Sequence, residues 1–327
     1  MGRPKKSVDA WNIFSGIFED LLADHATVGE IMKSRTARRG RGKAQKTLAL
    51  IAAAARILEE IQPASIRAVC YRLFTEGLIK SMEKSNTNTV SRLLVGARED
   101  GEIPWGWVVD ETRVAESIAT WENPTEIIEA TVRDYRKNYW TDQPEWVEVW
   151  SEKGTIRGTL APVLDKYGVT FRVMHGYGSA TALNDIADQT KRSDKLLTVL
   201  YVGDWDPSGL HMSEVDLPDR LNRYGADVNI FRVALDDEHV GPRLPSFEVE
   251  SKSKDPRYAW YSKRYGRKCW ELDALSPVIL RDRIELEITS RLDREIWRRA
   301  IEVEAVERES MQSFLSKWPS ISGQAHK

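Results

Sequence analysis

The amino-acid sequence predicts a protein of two units, a small helical one followed by an α/β one with a mostly parallel sheet. Three observations predict it. From Val147 onward, apolar runs of strand length alternate with helical stretches, as parallel strands joined by crossover helices require. Between Leu48 and Gly77 the apolar spacing is helical instead, broken at Pro63 and stopped at Gly77. And 327 residues, 41% hydrophobic and 30% charged, suffice for two packed cores and exclude a disordered chain. The expected boundaries are a basic arm with one helix over 1–46, the helical unit over 47–122, the α/β unit with C-terminal helices over 140–310, and a tail over 311–327.

In the arm, Trp11, Phe14, Ile17, Phe18 and Leu21 recur at helical spacing. Leu48, Ile51, Ala55, Leu58 and Ile61 then form one stripe, and Pro63 stops that helix. A second helix starts at Ser65, a suitable N-cap, and ends at Gly77. Ile66, Val69, Cys70, Leu73 and Phe74 share its apolar face, which leaves Arg67 and Tyr71 four residues apart on a flank. Asn88 or Thr89 is expected to cap a third helix, with Val90, Leu94 and Ala97 inward and Arg92 open to phosphate. Residues Ile103–Val109 are expected as a wing, completing a winged-helix arrangement of the helix-turn-helix kind. Asn123-Pro124 reads as a linker. Strands are expected at 147–151, 170–174, 196–203 and 228–235, with helices at 155–167, 180–190 and 210–224.

The composition sets limits on function. No apolar stretch approaches the roughly 20 residues of a membrane span, and the opening residues lack the apolar core of a secretory signal. Two cysteines, Cys70 and Cys269, make no disulfide framework and suit a reducing cytoplasm. Net charge is only -2, so an affinity for DNA rests on where the charges sit. Arg35, Arg38, Arg39, Arg41 and Lys43 fall in a run without acids, and Arg3, Lys5 and Lys6 flank a proline as in minor-groove-binding arms. A solubility tail is the alternative. Lys252 and Lys254 begin a second basic stretch interleaved with Tyr258, Trp260, Tyr261 and Tyr265, suited to a DNA-facing loop or to an ordinary surface loop.

The candidate chemistry sits at two strand ends. One strand runs into Gly203-Asp204-Trp205-Asp206-Pro207-Ser208-Gly209, and another runs into Glu152-Lys153. Period-two alternation aims Asp204 and Asp206 the same way, and carboxyl ends of parallel strands are where such sheets bind ligands. Glu152, Asp204 and Asp206 make an oxygen-rich set suited to Mg²⁺, with Mn²⁺ as a substitute. The plain alternative for the two aspartates is a turn or a helix cap. His175–Ser179 could hold a phosphate or merely turn, and the histidines lack zinc-ligand spacing. Glu271 and Asp273 are expected as caps of the helix that follows.

Glu152 with the Gly-Asp-x-Asp-Pro-x-Gly segment resembles the Toprim domain of topoisomerases and primases, in the form found in the topoisomerase VI A subunit and the meiotic double-strand-break proteins. Arg67-Ala68-Val69-Cys70-Tyr71 is similar to that branch's upstream Arg-x-x-x-Tyr signature, and the resemblance spans about Leu48 to Leu292. It implies that Tyr71 attacks double-stranded DNA to form a 5′-phosphotyrosyl break, assisted by Arg67 and by a metal on Glu152, Asp204 and Asp206. It implies a homodimer in which the tyrosine of one subunit meets the metal site of the other. Arg92, Lys153, Lys252 and Lys254 are expected on the DNA path. Without a Walker A segment, ATP-driven strand passage would need a separate ATPase subunit. Two alternatives stand beside this: a Toprim nuclease that hydrolyses DNA with water, and a non-enzymatic DNA-binding protein.

Overall fold

The computed structural model describes residues 45–109, 119–174, 180–193 and 195–322. The arm residues Arg3, Lys5, Lys6, Arg35, Arg38, Arg39, Arg41 and Lys43 lie outside them, as does the loop 175–179.

Helices α1 (Gln45–Ile61), α2 (Ile66–Thr75) and α3 (Lys84–Glu99) enclose a core of Ile57, Leu58, Ile61, Val69, Leu73 and Leu94. Helix α1 ends before Pro63, whose ring lacks an N–H and disfavours helical backbone at Gln62. Ser65 caps α2, its hydroxyl accepting from Ala68 N at 3.1 Å. Gly77 just past the end takes φ +71°, the left-handed turn that glycine adopts without strain. Helix α3 begins at Lys84, a turn earlier than Asn88 or Thr89. The predicted wing is a 3₁₀ turn at Trp105–Trp107 followed by β2 (Val108–Val109), which pairs in parallel with β1 (Ala64–Ser65). Among the described residues no hairpin follows α3. The aromatics explain why: Trp107 is buried, and the Trp105 ring lies 4.3 Å from the Arg98 guanidinium, so the segment is drawn back onto the helices.

The second unit opens with α4 (Pro124–Asp134). Asn123-Pro124 starts this helix rather than linking units, because Asn123 Oδ1 accepts from Thr125 N and Glu126 N at 3.0 and 3.2 Å with proline at the first helical position. The chain continues as β3 (Trp146–Ser151), α5 (Ile156–Tyr167), β4 (Thr170–Val173), α6 (Ala180–Arg192), β5 (Leu197–Val202), α7 (Pro207–His211), α8 (Leu217–Arg223) and β6 (Val228–Ala234). A small antiparallel pair, β7 (Phe247–Glu248) and β8 (Lys268–Cys269), flanks α9 (Tyr258–Tyr265), and α10 (Pro277–Arg291) and α11 (Arg294–Ser322) close the chain. Helix α11 passes unbroken through residue 311, where the sequence suggested a tail, and folds onto α4: Tyr135 Oη donates to Glu307 at 2.6 Å.

The sheet order is β4-β3-β5-β6, all parallel. Val147, Val149, Leu200 and Val202 pack in one core with residues of α5 and α10, while Trp150, Val199 and Tyr201 pack in another with α6 and α8. Covered on both faces, β3 and β5 need continuous apolar runs, which is what the sequence displays. Glu148 is the exception, fully buried but held by Arg172 at 2.5 and 3.0 Å and by Trp150 Nε1 at 2.7 Å. Strand order reverses between β3 and β5, and the crevice at such a reversal is where α/β sheets bind ligands.

The helical unit docks over this end of the sheet. Arg281 of α10 donates to the carbonyls of Ile61, Pro63 and Thr159 at 3.3 Å. Val109 of β2 lies so close to α5 that a Cβ on Gly158 would come within 2.3 Å of it, so the junction requires glycine there.

Candidate active site between the two units

The segment from Gly203 to Gly209 turns from β5 directly into α7. Asp206 is the helix N-cap, its Oδ1 accepting from Gly209 N at 2.8 Å and Ser208 Oγ at 2.9 Å, with Pro207 at the first helical position. Its Oδ2 pairs with Lys252 at 3.1 Å. The helix backbone passes so near that a Cβ on Gly209 would stand 2.3 Å from the Asp204 carbonyl oxygen. Asp204 has different partners: its Oδ1 accepts from Lys153 Nζ and Leu272 N, both at 2.8 Å. The two acids therefore keep different hydrogen-bond partners, while the charges of both act on Glu152. Strand alternation ends at Val202, and Asp206 already obeys the geometry of a cap.

Glu152 follows β3, the strand beside β5. Burial, and then the charges of Asp204 and Asp206, push its carboxyl above the usual range. Burial also raises Asp204, against the opposing pull of Lys153. Among the described residues no hydrogen bond or ion pair reaches Glu152. No three His, Cys, Asp or Glu side chains among those residues form a ready metal cluster. The donors nevertheless suit Mg²⁺ in kind: Glu152 offers both oxygens and Asp204 its Oδ2, and this cation commonly takes one or two carboxylates and keeps several waters. Asp206, spent on its cap and Lys252, is the least available of the three.

The opposite wall belongs to α2, across a cleft of about 540 Å³ lined by Ser65, Arg67, Lys153, Thr155, Asp204, Glu271 and Asp273. Arg67 forms an ion pair with Glu271, and its guanidinium carbon lies 5.8 Å from the centre of the Tyr71 ring. Ser65 Oγ, beyond capping α2, donates to Asp273 Oδ1 at 2.6 Å, and Asp273 Oδ2 accepts from Lys153 at 2.9 Å. A continuous chain, Ser65 to Asp273 to Lys153 to Asp204, thus crosses the cleft. Burial acts against the charge on Lys153, yet Asp204 and Asp273 more than offset it and raise its pKa. Burial would likewise lift Asp273, but Lys153 and Ser65 hold it below the usual carboxylate range.

Two expectations are corrected here. Glu271 and Asp273 make no capping bond; both are engaged across the cleft, with partners more than two hundred residues away in sequence. Tyr71 was expected on an open flank, yet it is 6% exposed because the turn at Leu272–Ala274 packs over α2. Burial, then the charge of Glu271, lifts its phenol well above the ordinary value.

The remaining basic residues divide. Lys153 and Lys252 are committed to acids within the fold. Lys254 is exposed, and Arg92 is exposed on the outer face of α3, where it lines a shallow depression with Ser85, Asn88 and Ser91. The aromatics of the second basic stretch pack inward instead of outward: Tyr261 is fully buried and Tyr265 meets Trp205 edge-on at 5.5 Å. One supporting residue escaped the sequence reading. Arg232 on β6 donates to the carbonyls of Gly203 at 3.0 Å, Gly209 at 3.1 Å and Leu235 at 2.6 Å, to that of Asp204, and to Ser213 Oγ at 2.7 Å. The only signal was a charge inside an apolar strand run, Ile230-Phe231-Arg232-Val233-Ala234.

No protein-family model, curated protein or solved structure matches the chain. No helix among the described residues is long and apolar enough to cross a membrane.

Proposed function

We propose that this chain is a metal-dependent DNA-cleaving enzyme akin to the A subunit of type IIB topoisomerases, its helical unit a winged-helix variant and its α/β unit a Toprim domain. The observation that supports this most is the shared cleft. Asp204, at the strand-order reversal of the sheet with the charge of Glu152 nearby, and Arg67, on the helix that carries Tyr71, line the same cleft. In the proposed reaction Tyr71 Oη bonds to the phosphorus of a DNA phosphodiester as the bond to the 3′ oxygen breaks. The phenolic proton passes to the departing 3′ hydroxyl, and the 5′ end remains on the tyrosine. Arg67 stays charged at any working pH and steadies the phosphate under attack. Mg²⁺ on Glu152 and Asp204 would supply further charge neutralisation at that phosphate. Paired cuts call for two copies, and strand passage for a separate ATPase.

The buried Tyr71, with its raised phenol pKa, favours a second reading, in which water rather than tyrosine is the nucleophile. One experiment separates them. Plasmid is incubated with the protein and Mg²⁺, stopped with detergent, and run with and without protease. Protein linked to DNA ends is the expected result; free ends establish hydrolysis, and uncut DNA refutes both.

A further inference from the structure

The two walls of the cleft are joined by carboxylates that do no capping and fill no core. Glu271 neutralises Arg67, and Asp273 takes both Ser65 and Lys153. These partners, a guanidinium fork, a hydroxyl at the start of a ten-residue helix and an ammonium, are groups that receive phosphate oxygens as readily as carboxylate oxygens. The two acids stand one residue apart on a single turn between β8 and α10, so their oxygens reach Arg67 and Lys153 together.

We propose that the Glu271–Asp273 turn is an internal stand-in for a DNA phosphodiester, holding Arg67, Ser65 and Lys153 until a phosphate of bound DNA replaces the Glu271 carboxylate. This deepens the DNA reading above and rests on it. Glu271 is the exchangeable member. The side chains of its ion pair are 45% and 21% exposed, whereas those of the Lys153–Asp273 pair are 27% and 5% exposed. A part-exposed pair is worth little and yields easily to a competing anion, while the buried pair keeps the turn and Lys153 in place. With Glu271 on Arg67 the guanidinium charge is neutralised within the ion pair. With Glu271 displaced, Arg67 becomes the cation that a backbone phosphate meets first.

The test measures binding alone, with the full chain and a fluorescein-labelled DNA duplex in chelator, followed by anisotropy. Glu271→Gln is expected to tighten binding roughly fivefold to tenfold, because one like charge leaves the phosphate's path. The dependence of log Kd on log salt should keep its wild-type slope, because a phosphate sits on Arg67 in either complex. Glu271→Ala should reproduce the tightening, and adding Arg67→Ala to either should abolish it and flatten the slope by about 1. Unchanged or weaker binding in both Glu271 variants, with the wild-type melting midpoint, overturns the proposal. The readout also separates the two readings. Tighter binding by Glu271→Gln without cleavage in Mg²⁺ leaves the stand-in intact and removes the cleavage reading; cleavage without a binding gain does the reverse.

Discussion

The two walls of the cleft differ in how far each is prepared for chemistry. On the β3–β5 wall, the three acids Glu152, Asp204 and Asp206 carry one more negative charge than Lys153 and Lys252 offset, and Glu152 makes no ion pair among the described residues. On the α2 wall every group of interest is already occupied: Arg67 by Glu271, Ser65 by Asp273, and Tyr71 by the turn that buries it. The first wall is fixed by strand topology, with Lys153 on Asp204 and Lys252 on Asp206. The second is fixed by contact between the units, and any role for Tyr71 requires that contact to loosen. The difference teaches that the two walls of one cleft are fixed by different forces, strand topology on one side and contact between the units on the other.

The largest expected effects test that division. Asp204→Asn and Glu152→Gln should each lower DNA cleavage by about a hundredfold or more, with duplex binding retained, since these acids act on charge and fill no core. Cleavage that persists in chelator removes the first wall from the chemistry. Tyr71→Phe should abolish protein-linked DNA ends while shifting stability by only about 1 kcal/mol, as a single hydroxyl is lost from a ring that keeps its packing. A Phe variant that cuts at the wild-type rate to give free ends makes the second wall purely structural.

Arg232→Met comes next. It strips the charged donor from beneath the loop that carries Asp204 and Asp206, taking one hydrogen bond each from the Gly203, Asp204, Gly209 and Leu235 carbonyls, and should cost about 3 kcal/mol in urea denaturation. If the loss is confined to the first wall, the urea slope stays constant and only the midpoint falls. A midpoint within error of wild type would mean the loop holds its shape without Arg232.

Most of the α/β frame was legible because β3 and β5 are buried on both faces, so their apolar runs and the helical stretches between them have one consistent reading. Glu152 and Asp204 were legible for the same reason: a strand's end fixes where the next side chains emerge. Asp206 was legible in identity but not in job, since Asp-Pro-x-Gly spells a strand end and a helix cap equally well. Glu271, Asp273 and the burial of Tyr71 depend on the two units meeting, through pairs such as Ser65–Asp273 that no local spacing encodes. The turn at Trp105–Trp107 in place of a wing strand was not legible, because the burial of Trp107 and the stacking of Trp105 on Arg98 depend on where α3 lies.

The smallest effect is the sharpest probe of the first wall, because it needs no DNA. Glu152 has a raised carboxyl pKa in the folded chain, through burial first and then Asp204 and Asp206. Between the ordinary carboxylate value and that raised value the folded state binds more protons than the unfolded one, so stability falls as pH rises through the window. Above it, at neutral pH, the ionised Glu152 is a net cost. Glu152→Gln should therefore raise the melting midpoint of the metal-free protein at neutral pH by roughly 1–3 °C, the effect of a part-exposed charge worth at most about 1 kcal/mol. The gain should vanish below the window, where Glu152 is protonated in both states. Added Mg²⁺ should raise the wild-type midpoint by binding the folded form, and raise that of the variant less. A variant that melts lower than wild type at neutral pH would show that Glu152 holds the fold together, and the open wall would then be a structural one.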